Sequence, residues 1–381
     1  MEYKIPFNKV HLTGEEQENI EEALRSKRIS GDGLFTHKCN AFLERVTGSD
    51  RALLTTSCTH SLEMCALLLD IKPGDEVIVP SFAFVTTANA FVLRGAKPVF
   101  TDIRPDTFNI DEKQVEGLIS PRTKAIVALH YAGVACEMDE LRAIANAHSI
   151  PIVEDSAMGL LGKFRGHHLG SLGQLATLSF HETKSFTCGE GGALLINDPK
   201  HVDRAEIIRE KGTNRTQFFR GNVDKYTWVD LGSSYLPSEI LAAFLLAQLE
   251  SSDIILAKRR AIWDSYARSL ADWAEANGVQ LPRYPGYCEH PFHMFPVLCP
   301  SLAKRTQLIS HLKSRGIQSA FHYQPLHLSH MGLKYGFKKG DFPVTEDVAD
   351  RLVRLPFYTD LSPDEQHLVC EVLFELSFGP E

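Results

Sequence analysis

Ser179-Phe180-His181-Glu182-Thr183-Lys184 runs directly into Ser185-Phe186-Thr187-Cys188-Gly189-Glu190-Gly191-Gly192 and then the apolar stretch Ala193-Leu194-Leu195-Ile196. One lysine stands on a short polar turn, with a hydroxyl five positions before it. The glycines let the backbone fold closely before the next strand. A lysine so placed can form a Schiff base with an aldehyde cofactor, while the serine and the glycine-rich backbone hold its phosphate. That is the chemistry of pyridoxal phosphate (PLP). A lone lysine after an apolar strand is more often simply solvated, so the reading rests on what surrounds it.

From about residue 50, short apolar runs alternate with helical ones. Strands are expected over 52–54, 76–79, 98–100, 125–129 and 151–153, and helices over 60–69, 86–94, 111–119 and 138–148. Such alternation predicts an α/β fold with a mainly parallel sheet flanked by helices. Its chemistry then gathers beyond the carboxyl ends of the strands. Upstream, Thr13-Gly14-Glu15-Glu16 reads as a capping box opening a helix that ends near Lys27-Arg28. Downstream, one long helix is expected from about 238 to 277. A strand over 295–298, a helix over 302–315, an extended piece at 320–323 and helices over 345–354 and 363–376 follow. A chain of 381 residues exceeds what one core usually holds. The division expected is a large PLP-binding domain over 1–255 and a smaller C-terminal α+β domain over 256–381.

Hydrophobic residues at 44% and charged ones at 23% match a soluble globular protein. A formal charge of −8 argues against a nucleic-acid partner, which needs a basic surface. Lys and Arg form no polybasic patch, and no apolar run approaches the length that spans a bilayer. Met1-Glu2-Tyr3-Lys4-Ile5-Pro6 lacks the apolar core of a signal peptide. The eight cysteines form no C-x-x-C pair, and several sit in runs such as Met64-Cys65-Ala66-Leu67. They read as reduced, buried thiols, with neither disulfides nor a metal site, and the expected compartment is the cytoplasm.

Val153-Glu154-Asp155-Ser156-Ala157 puts an acid just past an apolar strand. PLP acts as an electron sink only while its ring nitrogen keeps a proton, and a carboxylate facing that nitrogen keeps it there. Taken alone, Asp155 reads as a cap for the next turn; its place 29 residues before Lys184 (184 − 155) favours the cofactor role. Thr55-Thr56-Ser57-Cys58-Thr59-His60-Ser61 precedes an apolar helix, whose N-terminus can bind an anion. Cys58, Thr59 and Ser179 are read as phosphate contacts, although ordinary N-capping explains the same residues. Phe84 lies where an aromatic ring can stack on a cofactor, core packing being the default for such a run. Of the histidines, His130 ends a strand as Asp155 does and can line a site. His181, three residues before Lys184, can move protons, and His322-Tyr323-Gln324-Pro325-Leu326-His327 shows no metal-ligand spacing. A surface or satisfied-core role explains each histidine equally well.

The motifs TSCTHSLEM, PSFAFVTTANAFVLRGAKPVF, VEDSAMG, SFHETKSFTCGEGG and IIREKGTNRTQFFRG together resemble the sugar-nucleotide aminotransferases of the DegT/StrS type. The resemblance runs from about residue 5 to residue 375, in family order. Within it SFHETK, DKYTW, LGSSYL and HYQPLH look closest to the dTDP-4-amino-4,6-dideoxyhexose transaminases. It implies a PLP-dependent transferase of fold type I, with PLP as cofactor. Lys184 becomes the Schiff-base lysine and general base, and Asp155 the partner of the ring nitrogen. Cys58, Thr59 and Ser179 hold the phosphate, and Phe84 stacks on the ring. It also implies a homodimer with shared active sites, in which Arg215, Arg220 and Tyr235 reach the neighbouring site and Ser234 takes the place of an asparagine at the partner's phosphate. Met158 stands where many members carry a glutamine that bonds the phenolic oxygen of PLP.

The function this implies is transfer of an amino group from L-glutamate to a dTDP-4-keto-6-deoxyhexose. Within the fold the alternative is a 3-keto sugar nucleotide or cyclitol as acceptor. The 3-dehydrase branch, with histidine in place of the lysine, is disfavoured by Lys184. Outside the class, a catalytically silent PLP-fold sensor or scaffold competes. A nicotinamide-dependent dehydrogenase is set aside, since no G-x-G-x-x-G follows the first strand.

Overall fold

The computed structural model describes residues 3–378. Its centre is a seven-stranded sheet. Five strands are β1 (Arg51–Thr55), β2 (Glu76–Pro80), β3 (Lys97–Thr101), β4 (Thr123–Leu129) and β5 (Ile152–Asp155). A short hairpin, β6 (Lys163–Phe164) and β7 (His167–His168), precedes the last two, β8 (Leu175–Ser179) and β9 (Gly192–Ile196). The strands lie in the order β1-β9-β8-β5-β4-β2-β3. All pairs are parallel except those of β9, which runs against both β1 and β8. Runs such as Val77-Ile78-Val79 and Ile126-Val127-Ala128 are buried on both faces. That is why they read as continuous apolar segments instead of alternating ones.

Helices cover the sheet: α1 (Glu16–Arg25), α2 (Leu34–Thr47), α3 (Cys58–Leu68), α4 (Val85–Val92), α5 (Glu112–Leu118), α6 (Met138–His148), α7 (Val202–Arg209), α8 (Arg215–Phe219) and α9 (Glu239–Glu250). The expected capping box at Thr13 forms by half. The Glu16 carboxylate accepts from the Thr13 and Gly14 N–H groups at 2.8 and 2.9 Å, but the Thr13 hydroxyl accepts from Glu15. Helix α2 is absent from the sequence reading, although Gly48 closes it in the left-handed region at φ 78°.

The single helix expected over 238–277 is three. After α9 come α10 (Ser252–Ser269) and α11 (Ala271–Ala276), with α9 and α10 bent by 62°. The Ser251-Ser252 pair marks the break. Helix α9 buries Leu245, Leu246 and Leu249, each contributing about 1.5–3 kcal/mol. Among the described residues no single helix is long and apolar enough to cross a membrane.

A second core gathers Ile262, Tyr266, Phe295, Leu312, Val353 and Phe357. It is built from α10, α11, β11 (Pro296–Leu298, after the short strand β10, Cys288–Glu289), α12 (Leu302–Ser314), α15 (Pro363–Phe374) and β12 (Leu352–Arg354), with α14 (Pro343–Arg351) beside α12, while α13 (His330–Lys334) packs on the turn at Leu326–Leu328. The helix expected over 345–354 ends at Arg351; Leu352–Arg354 turns into a strand paired with β11. Ile5 belongs to this core too, and bridges to Ile317.

Glu239, buried at the start of α9, closes the N-terminus of α2. Its carboxylate accepts from Gly33 N, Phe35 N and Thr36 N at 3.0, 2.8 and 3.1 Å, and from the Thr36 hydroxyl. A Cβ at Gly33 would lie 2.6 Å from that carboxyl group. Glu239→Ala strands three buried amides. Urea denaturation should show a loss of about 2–4 kcal/mol, and Glu239→Gln roughly half of it. Unchanged stability would mean that water replaces the cap.

Candidate active site

Successive residues of a strand face opposite sides of the sheet, so β5 delivers its two terminal carboxylates to different places. Glu154 turns to one face, where it accepts from Gly170 N, Leu172 N and Gly173 N at 2.8, 2.7 and 2.6 Å and meets His130 Nε2 at 2.9 Å. Burial alone would raise its pKa; His130 and the amides outweigh burial and lower it. His130 is therefore a satisfied core histidine. It is fully buried, and its Nδ1 accepts from Cys136 N at 3.1 Å.

Asp155 turns to the other face with fewer donors. Its Oδ2 accepts from the Thr87 hydroxyl at 2.7 Å and its Oδ1 from Ala157 N at 3.2 Å. Burial pushes its pKa up, against the pull of Thr87, Ala157 and the charge of Lys184.

Lys184 lies on the turn between β8 and β9. Backbone bonds fix that turn: Phe180 N to Gly191 O at 2.8 Å, Glu182 N to Gly189 O at 2.9 Å and Lys184 N to His181 O at 2.9 Å. Gly189 adopts φ 85°, which a side chain would strain. Asn8, from the N-terminal segment, donates to Glu182 O at 3.0 Å. Burial lowers the pKa of Lys184, while Cys58 and Asp155 oppose that shift and Arg354 adds to it. The net effect is a pKa below that of a free lysine. Ser179 ends β8, and its hydroxyl accepts from His181 N at 3.5 Å. The His181 ring is engaged elsewhere: Nδ1 lies 2.9 Å from the Thr183 hydroxyl and Nε2 3.7 Å from Glu190.

Cys58 and Thr59 open α3 directly after β1, with Ser57 as N-cap accepting from His60 N. Cys58 Sγ is 3.5 Å from the Thr177 hydroxyl. Burial, and then the charge of Asp155, push its thiol up to about 12, so it stays a neutral donor. Gly192 starts β9 between Thr55 and Ser179. A Cβ there would come within 2.4 Å of Cys58 N, so the glycine lets the N-terminus of α3 sit on the sheet edge.

Phe84 leads into α4 and is 56% exposed, not packed in the core; its ring centroid lies 6.4 Å from Tyr323. Tyr323 in turn stacks on His322 at 3.8 Å, and His322 Nδ1 lies 3.2 Å from the Tyr131 hydroxyl. His293 approaches the Ser185 hydroxyl at 3.2 Å. His327, between Ser81 and Glu346, is structural.

Asp155, Lys184, Cys58 and Thr177 are thus brought together, with Phe84, His322, Tyr323 and Arg354 on the facing side. Ser234 is not among them within one chain. It is exposed beside a cavity of about 800 Å³ shared with Arg28, Arg209 and Arg215. Arg220 is paired to Glu206 through two bonds of 2.8 Å, and Arg215 sits 3.8 Å from Glu210. Tyr235, expected to reach a neighbour, is buried in its own chain, its hydroxyl 3.4 Å from Glu63 and its ring 5.1 Å from His60. Sequence reasoning missed Thr87 and Arg354. Thr87 lies inside an expected helix with nothing to mark its facing, and the strand holding Arg354 falls within the helix expected over 345–354.

The matching family model settles the class: residues 10–374 correspond to the DegT/DnrJ/EryC1/StrS aminotransferase family. The chain belongs to this family. It is similar to the GDP-perosamine synthase of Escherichia coli O157:H7, with 31% identity over 97% of this chain and 98% of that protein. Among solved structures it is similar to the PLP form of Spr1654 from Streptococcus pneumoniae, at 28% identity and TM-score 0.89, covering 97% of this chain and 98% of that one. S. venezuelae DesV matches with 29% identity and TM-score 0.90 over 100% of both chains. The protein is a PLP-dependent sugar aminotransferase of fold type I.

The residues present fit this cofactor. The site offers a buried carboxylate for the ring nitrogen, a lysine whose pKa burial lowers and a helix N-terminus with neutral donors for a phosphate. A bound pyridinium would offset the burial that now raises the Asp155 pKa. Replacing Thr87 by Val removes the hydroxyl donor and raises that pKa further. PLP affinity of the aminotransferase should fall about 10- to 100-fold, the more so at lower pH where Asp155 takes a proton. Absorbance titrations at two pH values test this; equal affinities of variant and wild type would show that Thr87 does not hold the charge.

Proposed function

We propose that the enzyme transfers the amino group of L-glutamate to C4 of a dTDP-4-keto-6-deoxyhexose, yielding the dTDP-4-amino-4,6-dideoxyhexose. The observation that carries aminotransfer is a buried Asp155 at the end of β5 whose charge acts on Lys184, on the glycine-rich turn between β8 and β9. The C4 acceptor and the thymine nucleotide rest on the resemblance of SFHETK, DKYTW, LGSSYL and HYQPLH to the 4-amino-sugar transaminases. The likeness to GDP-perosamine synthase makes a GDP-linked sugar the second reading.

When bound, the cofactor supplies an aldehyde for the donor amine and a ring that draws off electrons from the adjoining C–H bond. Asp155 keeps the ring-nitrogen proton in place. Lys184 takes the proton from the donor's Cα and delivers one to the sugar carbon, so the face it occupies sets the configuration at C4. Cys58, Thr59 and Ser179, with the α3 N-terminus, hold the phosphate, and Phe84 covers the ring. His181, three residues before Lys184, moves protons at the rim of the site once its ring leaves the Thr183 hydroxyl.

A homodimer completes the site. Phe219, Tyr226, Trp228, Val229 and Leu231 are all exposed on one segment, Trp228 by 76%. Such a run is the kind of surface a second copy covers, and it would bring Arg215 and Ser234 toward the partner's phosphate site. The same reading divides the chain into a PLP-binding domain over 1–255 and a small domain over 256–381, the latter built on the core around Phe295 and Leu312. It also places the enzyme in the cytoplasm, where its eight cysteines stay free.

Purified enzyme, PLP, L-glutamate and dTDP-4-keto-6-deoxyglucose should give a 4-amino sugar by NMR, its H3–H4 coupling reporting an axial or equatorial amine. Conversion of the cofactor by glutamate without a sugar product would discard this acceptor, and the GDP-linked sugar is then assayed in its place. Lys184→Ala should abolish turnover and the absorbance of the lysine–cofactor bond; full turnover would sink the assignment. Asp155→Asn should fold yet lose about 100-fold or more in turnover. Near-normal activity there would mean that another group faces the ring nitrogen.

A further inference from the structure

Ser185 directly follows Lys184, and its hydroxyl lies 3.2 Å from Nδ1 of His293, 108 positions further along the chain. The backbone bonds that fix the lysine's turn involve neither Ser185 nor Phe186. Past Lys184 the turn is therefore held by side chains. Phe186, 3% exposed, is sunk in the core around α2 and α9. Ser185 is held by His293. That imidazole is buried, and burial keeps its pKa well below the usual histidine value, with the charges of Lys184, Arg259, Arg354 and His322 pushing the same way. A neutral ring can bond the hydroxyl without setting a second cation beside the lysine.

The segment that carries His293 is fixed from behind. Arg259, buried on α10, donates through Nε to Phe292 O at 3.0 Å, through Nη2 to His293 O at 2.6 Å and through Nη1 to the Thr359 hydroxyl at 3.3 Å. Its guanidinium also lies over the Phe357 ring, 4.8 Å from the centroid. Burial lowers its pKa to about 9, which leaves it charged at neutral pH. Phe292 adopts φ 50°, in the left-handed region that a side chain strains. Two charge-assisted bonds to consecutive carbonyls hold the chain in that conformation. Strain of this kind persists only where the surroundings over-determine it. Beyond it Met294 packs into the core on the central sheet and Phe295 into the second core.

We propose that His293 is a positioning residue for Lys184, fixing through Ser185 the side of the turn from which the lysine moves protons. The proposal rests on the reading of Lys184 as the proton-transfer group. A lysine side chain is long and freely rotating, so its reach is set by where its backbone is clamped. An error of about 1 Å in the placement of a transferring group costs on the order of 100-fold in rate. Arg259 belongs to α10 and Thr359 lies near the second core, so the clamp also ties the lysine to that core.

The step to read is exchange of the Cα proton of L-glutamate for deuterium, by holoenzyme in D2O without keto sugar. The Cα–H bond breaks, its electron pair passes into the cofactor, and Lys184 takes the proton, loses it to solvent and returns a deuteron. His293→Leu, which keeps bulk without a polar atom, should slow exchange at saturating glutamate about 10- to 50-fold, and Ser185→Ala likewise. The double variant should be no slower than the slower single one, since both cut the same bond. His293→Asn puts an amide near the place of Nδ1 and should restore the rate to within about threefold. KM for glutamate and the absorbance of the lysine–cofactor bond should stay within about twofold of wild type, which separates a displaced lysine from a damaged fold or a lost cofactor. Exchange by Ser185→Ala within about twofold of wild type overturns the inference, whether or not His293→Leu folds. Losses that multiply in the double variant overturn it as well, and so does a His293→Asn as slow as His293→Leu. Exchange that survives Lys184→Ala overturns the reading of the lysine, and the inference with it.

Discussion

Two carboxylates in succession at the end of a strand buried on both faces set the terms for this molecule. Burying an acid is expensive unless donors surround it, and β5 buries Glu154 and Asp155 together. The pleat sends them to opposite faces, and the two faces answer differently. Glu154 receives three backbone amides and His130, and its charge is stabilised. Asp155 receives one hydroxyl and one amide, and burial dominates. The first is a structural anchor for the turn from Gly170 to Gly173. The second keeps unspent capacity for a positively charged partner, and the glycine-rich turn with Lys184 is built beside it.

Most of the architecture was readable because period and punctuation agree with burial. Helix α6 starts and stops at the residues expected, and the five strands from β1 to β5 lie within two residues of their expected bounds. What escaped was decided by contacts remote in sequence. Helix α2 has its N-terminus closed by Glu239, some 200 positions away, and no local signal announces that partner. The turn from helix to strand at Leu352 depends on pairing with β11. His130 and Asp155 look alike in sequence, each a polar residue ending an apolar run. Only the facing of each side chain separates the core histidine from the acid of the site.

The charges around Lys184 form a set that is unbalanced in a consistent way. Arg354 makes its surroundings more positive, and the N-terminus of α3 adds partial positive charge. Cys58 is kept neutral. Against these stands Asp155, whose ionisation burial opposes. A site of this kind is completed by anions. PLP, held as proposed, would bring a phosphate to the helix end and a protonated ring nitrogen to Asp155, whose charge burial opposes.

The groups of the site also come from two cores. Asp155, Lys184 and Cys58 hang from the central sheet, whereas Arg354, His322 and Tyr323 belong to the strand and extended segment beside the second core. The N-terminal segment ties the two together. Ile5 is buried in the second core, Phe7 lies under Arg354, and Asn8 bonds the turn that carries Lys184. The short segment Ile5–Asn8 therefore links the cation of one side to the turn of the lysine on the other. A shift of the second core relative to the sheet would draw on Phe7 and Asn8 together. Phe7 and Asn8, adjacent in sequence, thus touch Arg354 and the Lys184 turn respectively, so the two sides of the site share one short link.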